Sequence, residues 1–405
     1  MFLINPFRAV IPVPDKVAHV VTRDLRSYSP EELQAILKYN PYSFLQVINP
    51  GHRYNKEVTG EDRNILVRNR YLEFVQEKVL VKDDQQALFL YQLDHDTLSC
   101  MGLLGNLHLS HYEKSRVKPH EKTLKARVEI FQDYLRTTRI QTDPVLLVHD
   151  DDSTLQEYLE KLRANEPCLN FTTPDKQKHR LWRITDQTAI ERISNYLEKM
   201  NTIYIADGHH RISSSAKMYK ESTQDGHQDS AYVMSLFAAA SQVRISGFTR
   251  LVHDLNGLSK ADFLIALDRF FIVEEKVSQH LEPTNPLEFT MYLDGGFYSL
   301  TLRDQFLKDH PLKDLPPNIL QRTVLKPILN IKSMRRSKRI TYIHSLNGEL
   351  KMKNLIDEGL YEVGFTHFPV SFEQLKAVAD KGLRMPPKST YIEPKLKSAL
   401  TVFEF

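Results

Sequence analysis

Ala206-Asp207-Gly208-His209-His210-Arg211 concentrates more chemistry than any other stretch of this 405-residue chain. The apolar run Thr202-Ile203-Tyr204-Ile205 leads into it as a buried strand, and Ser213 to Tyr219 continues as a helix. A strand that feeds straight into a helix leaves the helix start at the turn. First-turn N–H groups have no intrahelical acceptor, and the positive end of the helix dipole lies behind them. Gly208 permits an unusual backbone angle and the close approach of an anion. Arg211 adds a fork of donors matched to phosphate oxygens. His209 and His210 can donate, accept or carry a proton near neutral pH, and Ser213, Ser214 and Ser215 add hydroxyls. Together these residues read as a cradle for an anion such as phosphate. Two other readings of the same residues stay open: an exposed turn with surface histidines, and a metal site, because histidine and aspartate are good ligands. Neighbouring residues on a helix point about 100° apart, which speaks against His209 and His210 sharing one ion.

Two further clusters carry reactive types. In Lys118-Pro119-His120-Glu121-Lys122-Thr123, Glu121 suits a general base or a partner for magnesium, Lys122 suits a phosphate, and His120 is placed to orient Glu121. A charged helix start is the plainer account of that cluster, since glutamate is ordinary in a first turn. In Arg384-Met385-Pro386-Pro387-Lys388-Ser389-Thr390-Tyr391, two prolines stiffen the chain, and Lys388, Ser389 and Thr390 offer one cation and two hydroxyls, which reads equally as structural closure or as a ligand contact. The chain has no G-x-S-x-G, H-E-x-x-H, C-x-x-C or G-x-G-x-x-G, so serine hydrolase, zincin and Rossmann dehydrogenase readings have no motif behind them.

The elements that must position these groups alternate between strand and helix, which predicts a mixed α and β protein of the α+β class. Ala9 to Pro14 is extended. Ser29-Pro30-Glu31-Glu32 opens a helix with a capping box and a first-turn proline, and Asn40-Pro41 ends it. Ser43 to Ile48 reads as a strand and Glu61 to Leu80 as a long helix. Ala87 to Leu93 and Leu98 to Leu109 form a hairpin. His111 to Arg139 is loop, then helix. Pro144 to Val148 is a buried strand, Ser153 to Arg163 a helix with Ser153 and Gln156 as its capping pair, and Arg180 to Ile184 a strand. Ile190, Ile193, Leu197 and Met200 recur at helical spacing. Tyr232 to Phe237 and Val243 to Phe248 are two more strands. Asp294-Gly295-Gly296 and Asn347-Gly348 are hairpin signals, and Ser371 to Lys381 is a helix with Gly382 just past its end. Seams near residues 85 and 260 give three regions: 1–85, 86–260 and 261–405.

Composition narrows the class. Hydrophobic residues make up 41% and charged residues 26%, an ordinary globular mix with enough apolar material for a real core. A net charge of +3 is too mild for a nucleic-acid footprint, so no such partner is expected. The basic run Arg335-Arg336-Ser337-Lys338-Arg339 reads as a solvated loop, with a phosphate-contacting patch as the alternative. Cys100 and Cys168 have no metal-ligand spacing and are expected as free thiols. No basic, apolar leader opens the sequence and no 18 apolar residues run together, so no membrane contact and a cytoplasmic location are expected.

Six segments in order resemble the bacterial and archaeal family catalogued as domain of unknown function 1015. They are Pro6-Phe7-Arg8-Ala9, Asn40-Pro41-Tyr42-Ser43-Phe44-Leu45, His120-Glu121-Lys122-Thr123, Ile205 to Arg211, Leu325-Lys326-Pro327-Ile328-Leu329 and Met385 to Tyr391. That family's central part is similar to the ParB/sulfiredoxin superfamily, whose free serine kinases carry Asp-Gly-His-x-Arg. Asp207, Gly208, His209 and Arg211 match it. The resemblance implies a ParB/sulfiredoxin-like nucleotide-binding region over 86–260, flanked by an N-terminal α/β region and a C-terminal α+β region. It implies a nucleotide-dependent phosphotransferase acting on a small hydroxy amino acid such as free serine, as a kinase or in the reverse, phosphatase-like direction, with ATP or ADP and Mg²⁺. Its site would use Glu121, His120 and Asp207 in catalysis. Gly208, His209, His210, Arg211, Ser213, Lys122 and Thr123 would hold phosphate. Asn40, Ser43, Lys388 and Ser389 would contact substrate, and a homodimer is a candidate assembly. The alternatives are a non-catalytic nucleotide- or metabolite-binding paralogue and a ParB-like DNA-associated module. The chain departs from the family at Lys16 to Asp24, where many members have Pro-Tyr-Asp-Val, and at Arg335 to Lys338.

Overall fold

Ser29 accepts from the Glu32 N–H while the Glu32 carboxylate takes the Ser29 N–H, and the helix Pro30–Tyr39 follows. The same device at Ser371 and Gln374 opens Phe372–Asp380, and Gly382 sits beyond its end at φ +66°. Helix Gln187–Glu198 starts on Asp186, whose carboxylate accepts from Ala189, and buries Ile190, Ile193 and Leu197 along one stripe. Each of those side chains contributes about 1.5–3 kcal/mol by leaving water. The computed structural model describes residues 2–96, 98–222, 229–276, 282–344 and 348–405.

The chain is an α+β protein that divides into two compact units, Met1–Arg244 with Pro394–Phe405, and Ile245–Glu393. In the first unit one mixed sheet runs in the order Val117–Pro119, Ile203–Asp207, Val145–His149, Tyr232–Ala239, Leu98–His108, Leu88–His95, Lys178–Ile184, Leu169–Thr172. Ile4–Asn5 also pairs with Leu98–His108. Two of its pairings are parallel: Val117–Pro119 with Ile203–Asp207, and Val145–His149 with Tyr232–Ala239. Leu147, Ile193, Leu197, Ile203, Ile205 and Ile212 lie in its core. A smaller antiparallel sheet orders Leu80–Lys82, Ala9–Pro12, Val402–Glu404, Ile140–Gln141, so the last residues of the chain fold into the first unit. In the second unit an antiparallel sheet orders Phe271–Lys276, Gly296–Leu302, Glu288–Leu293, Val363–His367, Phe248–Val252, Ile340–His344. Its core centres on Phe263, Phe271, Phe289, Leu320 and Phe365.

Several local expectations are corrected. Ser43 to Ile48 is not a strand: Leu45–Ile48 is a helical turn. Phe44 and Val47, three apart, are both buried in a cluster with Val67, Tyr71 and Phe74 of the helix Gly60–Gln76. Asp152, not Ser153, caps Ser153–Arg163 by accepting from Leu155. The strand expected from Val243 to Phe248 is broken at Gly247 into Arg244–Ser246 and Phe248–Val252. A Cβ on Gly247 would stand 3.1 Å from the His367 ring. Asn347 lies outside the described residues, and Gly348 opens the helix Gly348–Asp357, so no strand follows that hairpin signal. Within 111–139, the strand Val117–Pro119 precedes the helix Lys125–Thr138. Both cysteines are free, Cys100 buried and Cys168 half-buried. Arg335, Arg336 and Lys338 are exposed, while Arg339 pairs with Asp254. Among the described residues no helix is long and apolar enough to cross a membrane.

Candidate functional site

Parallel strands deliver their C-terminal ends to the same edge of a sheet, which is where open α/β sheets gather ligand-binding loops. Val117–Pro119 and Ile203–Asp207 pair in that sense, with Ile203 opposite Val117 and Ile205 opposite Pro119. The next residues on the two strands, His120-Glu121 and Ala206 to His209, therefore emerge together. His120 is fully buried, and its Nδ1–H donates to the Ile205 carbonyl at 2.9 Å. Its ring meets the edge of the His209 ring, with centroids 4.6 Å apart. His209 is buried in turn, with Nδ1 3.8 Å from the Glu121 carboxylate. Glu121 is half-buried and lies in the connection before the helix that opens at Lys125, so the charged-helix-start reading of this cluster does not hold.

On its other side Ile203–Asp207 pairs with Val145–His149, and the register shifts between Ile205 and Asp207. Such a bulge re-aims the side chain that follows it. Asp207 there accepts from Arg211 Nη2 at 2.5 Å on one oxygen and from Lys395 Nζ at 2.6 Å on the other. Burial pushes its carboxyl toward the neutral form, but the Lys395 and Arg211 charges outweigh this and hold its pKa below the usual carboxylate range. Gly208 has φ +94°. A Cβ at this position would stand 2.9 Å from Arg211 Nε, so the glycine is what lets the guanidinium fold back over the turn. The helix His209–Ser222 begins at the next residue, and its first intrahelical bond runs from the Ile212 N–H to the Gly208 carbonyl.

The other expected residues take distinct places. His210 Nε2 accepts from the Leu124 N–H at 3.1 Å and ties the 120–124 connection to the helix start. Lys122 is exposed and Thr123 half-buried in that connection. The Ser213 hydroxyl lies 3.4 Å from the Tyr112 hydroxyl. Asn40 ends its helix, donates to the His19 carbonyl and accepts from Tyr42, and Ser43 is buried and accepts from Leu45. Lys388 and Ser389 belong to the second unit. There the Lys388 ammonium lies over the Phe248 ring and Ser389 donates to the Pro386 carbonyl.

Two contributors have no counterpart in the sequence reading. Lys395 is 188 residues beyond Asp207, and no local pattern announces it. Asp24 is the other: it holds Arg26 through both carboxylate oxygens, and this hydrogen bonding keeps its pKa low. The charge of Arg211 also acts on Asp24, and that of Asp207 on Arg26.

In this α+β protein a mixed sheet ends in a Gly-turned helix start, with an arginine folded over it and a glutamate–histidine pair alongside. The chain belongs to the family described as protein of unknown function (DUF1015), whose model matches residues 4–325. Among solved structures it is similar to a mutant free serine kinase in complex with AMP, at 15% identity and a TM-score of 0.38, covering 73% of this chain and 92% of that one. SbnI with a C-terminal truncation from Staphylococcus aureus is similar at 14% identity and a TM-score of 0.38, covering 73% and 87%. A conserved hypothetical protein from Pyrococcus furiosus matches at 14% identity and a TM-score of 0.36, covering 73% and 95%. No curated protein matches the chain.

Proposed function

We propose that residues 207–211 seat the phosphates of a nucleotide and that Glu121 is the base for phosphoryl transfer to the hydroxyl of a small amino acid such as serine. The parallel pairing of Val117–Pro119 with Ile203–Asp207 carries this reading, because it sets a carboxylate beside the helix start where an anion would dock. Phosphoryl transfer asks mainly for positioning and charge neutralisation. Arg211 and the helix start would neutralise the phosphate oxygens, and Asp207 holds Arg211 in place. Glu121 would take the hydroxyl proton as the oxygen forms its bond to phosphorus and the bridging P–O bond to the remaining nucleotide breaks. His209, next to Glu121, would keep the carboxylate aimed. Run backward, the same groups return the proton and the phosphoryl group.

Magnesium commonly accompanies nucleotide phosphates and shares their charge. The protein's own donors do not build a cage for it: among the described residues no three His, Cys, Asp or Glu side chains group as ligands, and both Asp207 oxygens already hold cations. Glu121→Gln keeps the shape of the site and removes the base. It is expected to abolish formation of phosphoserine from serine and ATP or ADP while leaving nucleotide affinity, measured by calorimetry, near wild type. Undiminished turnover in that variant would remove Glu121 from the mechanism.

A further inference from the structure

Residues 394–405 return to the first unit and end in the strand Val402–Glu404. Before that strand, Lys395 and Lys397 stand two residues apart in a connecting segment that belongs to no helix or strand. Lys397 is buried and its ammonium is locked onto Asp175. That lock fixes the backbone from which Lys395 reaches Asp207. The Lys395 side chain is 43% exposed, so this cation of the turn is open to solvent along part of its length. Arg211 occupies one Asp207 oxygen and lies over Gly208 at the helix start, whereas Lys395 occupies the other oxygen. The carboxylate thus holds two cations, one on each oxygen, with Arg211 the one beside the helix start.

We infer that Lys395 is a second phosphate-binding cation of this site, supplied by the returning C-terminal segment. It contacts the phosphate next to the one seated on the helix start, so the site selects linked phosphates over a single one. This rests on the reading of 207–211 as a phosphate turn. An ammonium has three donors, so Lys395 can keep Asp207 and take a phosphate oxygen as well. Asp207 keeps both cations in place before the ligand arrives and prevents their mutual repulsion from splaying the turn.

The test uses the full chain and calorimetry with pyrophosphate and orthophosphate as probes, on wild type, Lys395→Gln, Lys395→Arg and Arg211→Gln. A charge-assisted contact of about 1.5–3 kcal/mol corresponds to roughly ten- to hundredfold in affinity. Lys395→Gln is expected to weaken pyrophosphate by at least about tenfold and orthophosphate by less than about twofold, with Lys395→Arg recovering most of the loss. Arg211→Gln is expected to weaken both anions. An unchanged pyrophosphate affinity in Lys395→Gln overturns the inference, and so does an equal loss for both anions, because Lys395 would then act only through the fold of the turn. If wild type binds neither probe, or Arg211→Gln leaves both affinities unchanged, the phosphate reading of the turn falls and the inference falls with it.

Discussion

Gly208→Ala separates the backbone of the turn from its side chains. At φ +94° an L-residue is strained by about 1–3 kcal/mol. The added Cβ would also stand 2.9 Å from Arg211 Nε and 3.0 Å from Nη2. A guanidinium is the mobile end of its side chain, so it swings away instead of the backbone. Its ion pair with Asp207 is then lost. With those side chains 27% and 36% exposed, solvent screening limits that pair to less than about 1 kcal/mol. The backbone term wins, and a total near 2 kcal/mol lowers the melting midpoint of the first unit by roughly 4–8 °C. The functional loss follows the side chain: with Arg211 displaced, pyrophosphate binding weakens about tenfold or more. Thermal unfolding by circular dichroism and pyrophosphate calorimetry on Gly208→Ala, Arg211→Ala and the double variant check both parts. Because both changes disable the same guanidinium, their binding losses must not add. A Gly208→Ala protein that melts like wild type, or binding losses that sum in the double variant, would refute the argument.

Two further outcomes test the framework around the site. His179 is fully buried, accepts from the Tyr91 hydroxyl at 2.8 Å and stacks on Phe171; burial, and then the Lys397 charge, push its pKa down to about 3, against the weaker pull of Asp175 and Asp94. The unfolded chain therefore takes up this proton first, so stability falls as pH drops below about 6.5, by about 2 kcal/mol between pH 6.5 and 4.5. His179→Gln should flatten that acid slope in urea titrations, and identical slopes in the two proteins would reject the assignment. In the second unit Arg250 is wholly buried and donates to the Phe248 and Lys388 carbonyls and to His367 Nε2. Arg250→Ala removes this buried charged donor from all three acceptors, at a cost of about 3 kcal/mol or more. Faster amide hydrogen exchange in Phe248–Val252 and Val363–His367 is the expected readout, and unchanged protection there counts against it.

Features set by a few neighbouring residues were legible in the sequence. The capping boxes at Ser29 and Ser371, the stripe Ile190-Ile193-Leu197 and the strand–turn–helix around Gly208 each lie within a dozen residues, and each appears in the structure. What could not be read depends on partners far along the chain. Val117–Pro119 contains a lysine and a proline in three residues and has no apolar alternation. It is a strand because Ile203–Asp207 pairs with it. Ser43 to Ile48 has the β-branched, aromatic content of a strand, but burying Phe44 and Val47 together against the helix Gly60–Gln76 requires a helical turn, and packing overrides propensity. Lys395 reaches Asp207 only because the chain returns to the first unit after 149 residues spent in the second.

The meeting of Glu121 with His209 is likewise a product of register. Side chains alternate across a strand, so a one-residue slip of Val117–Pro119 along Ile203–Asp207 would turn His120 to the opposite face. It would break the bond from His120 Nδ1 to the Ile205 carbonyl and remove that ring from the edge of His209. Both contacts belong to one fully buried imidazole, which has no water to fall back on. The slip is therefore opposed by the loss of a buried hydrogen bond as well as by the ladder itself. Through its bond to the main chain of the neighbouring strand, His120 thereby fixes where the next residue, Glu121, leaves the sheet edge.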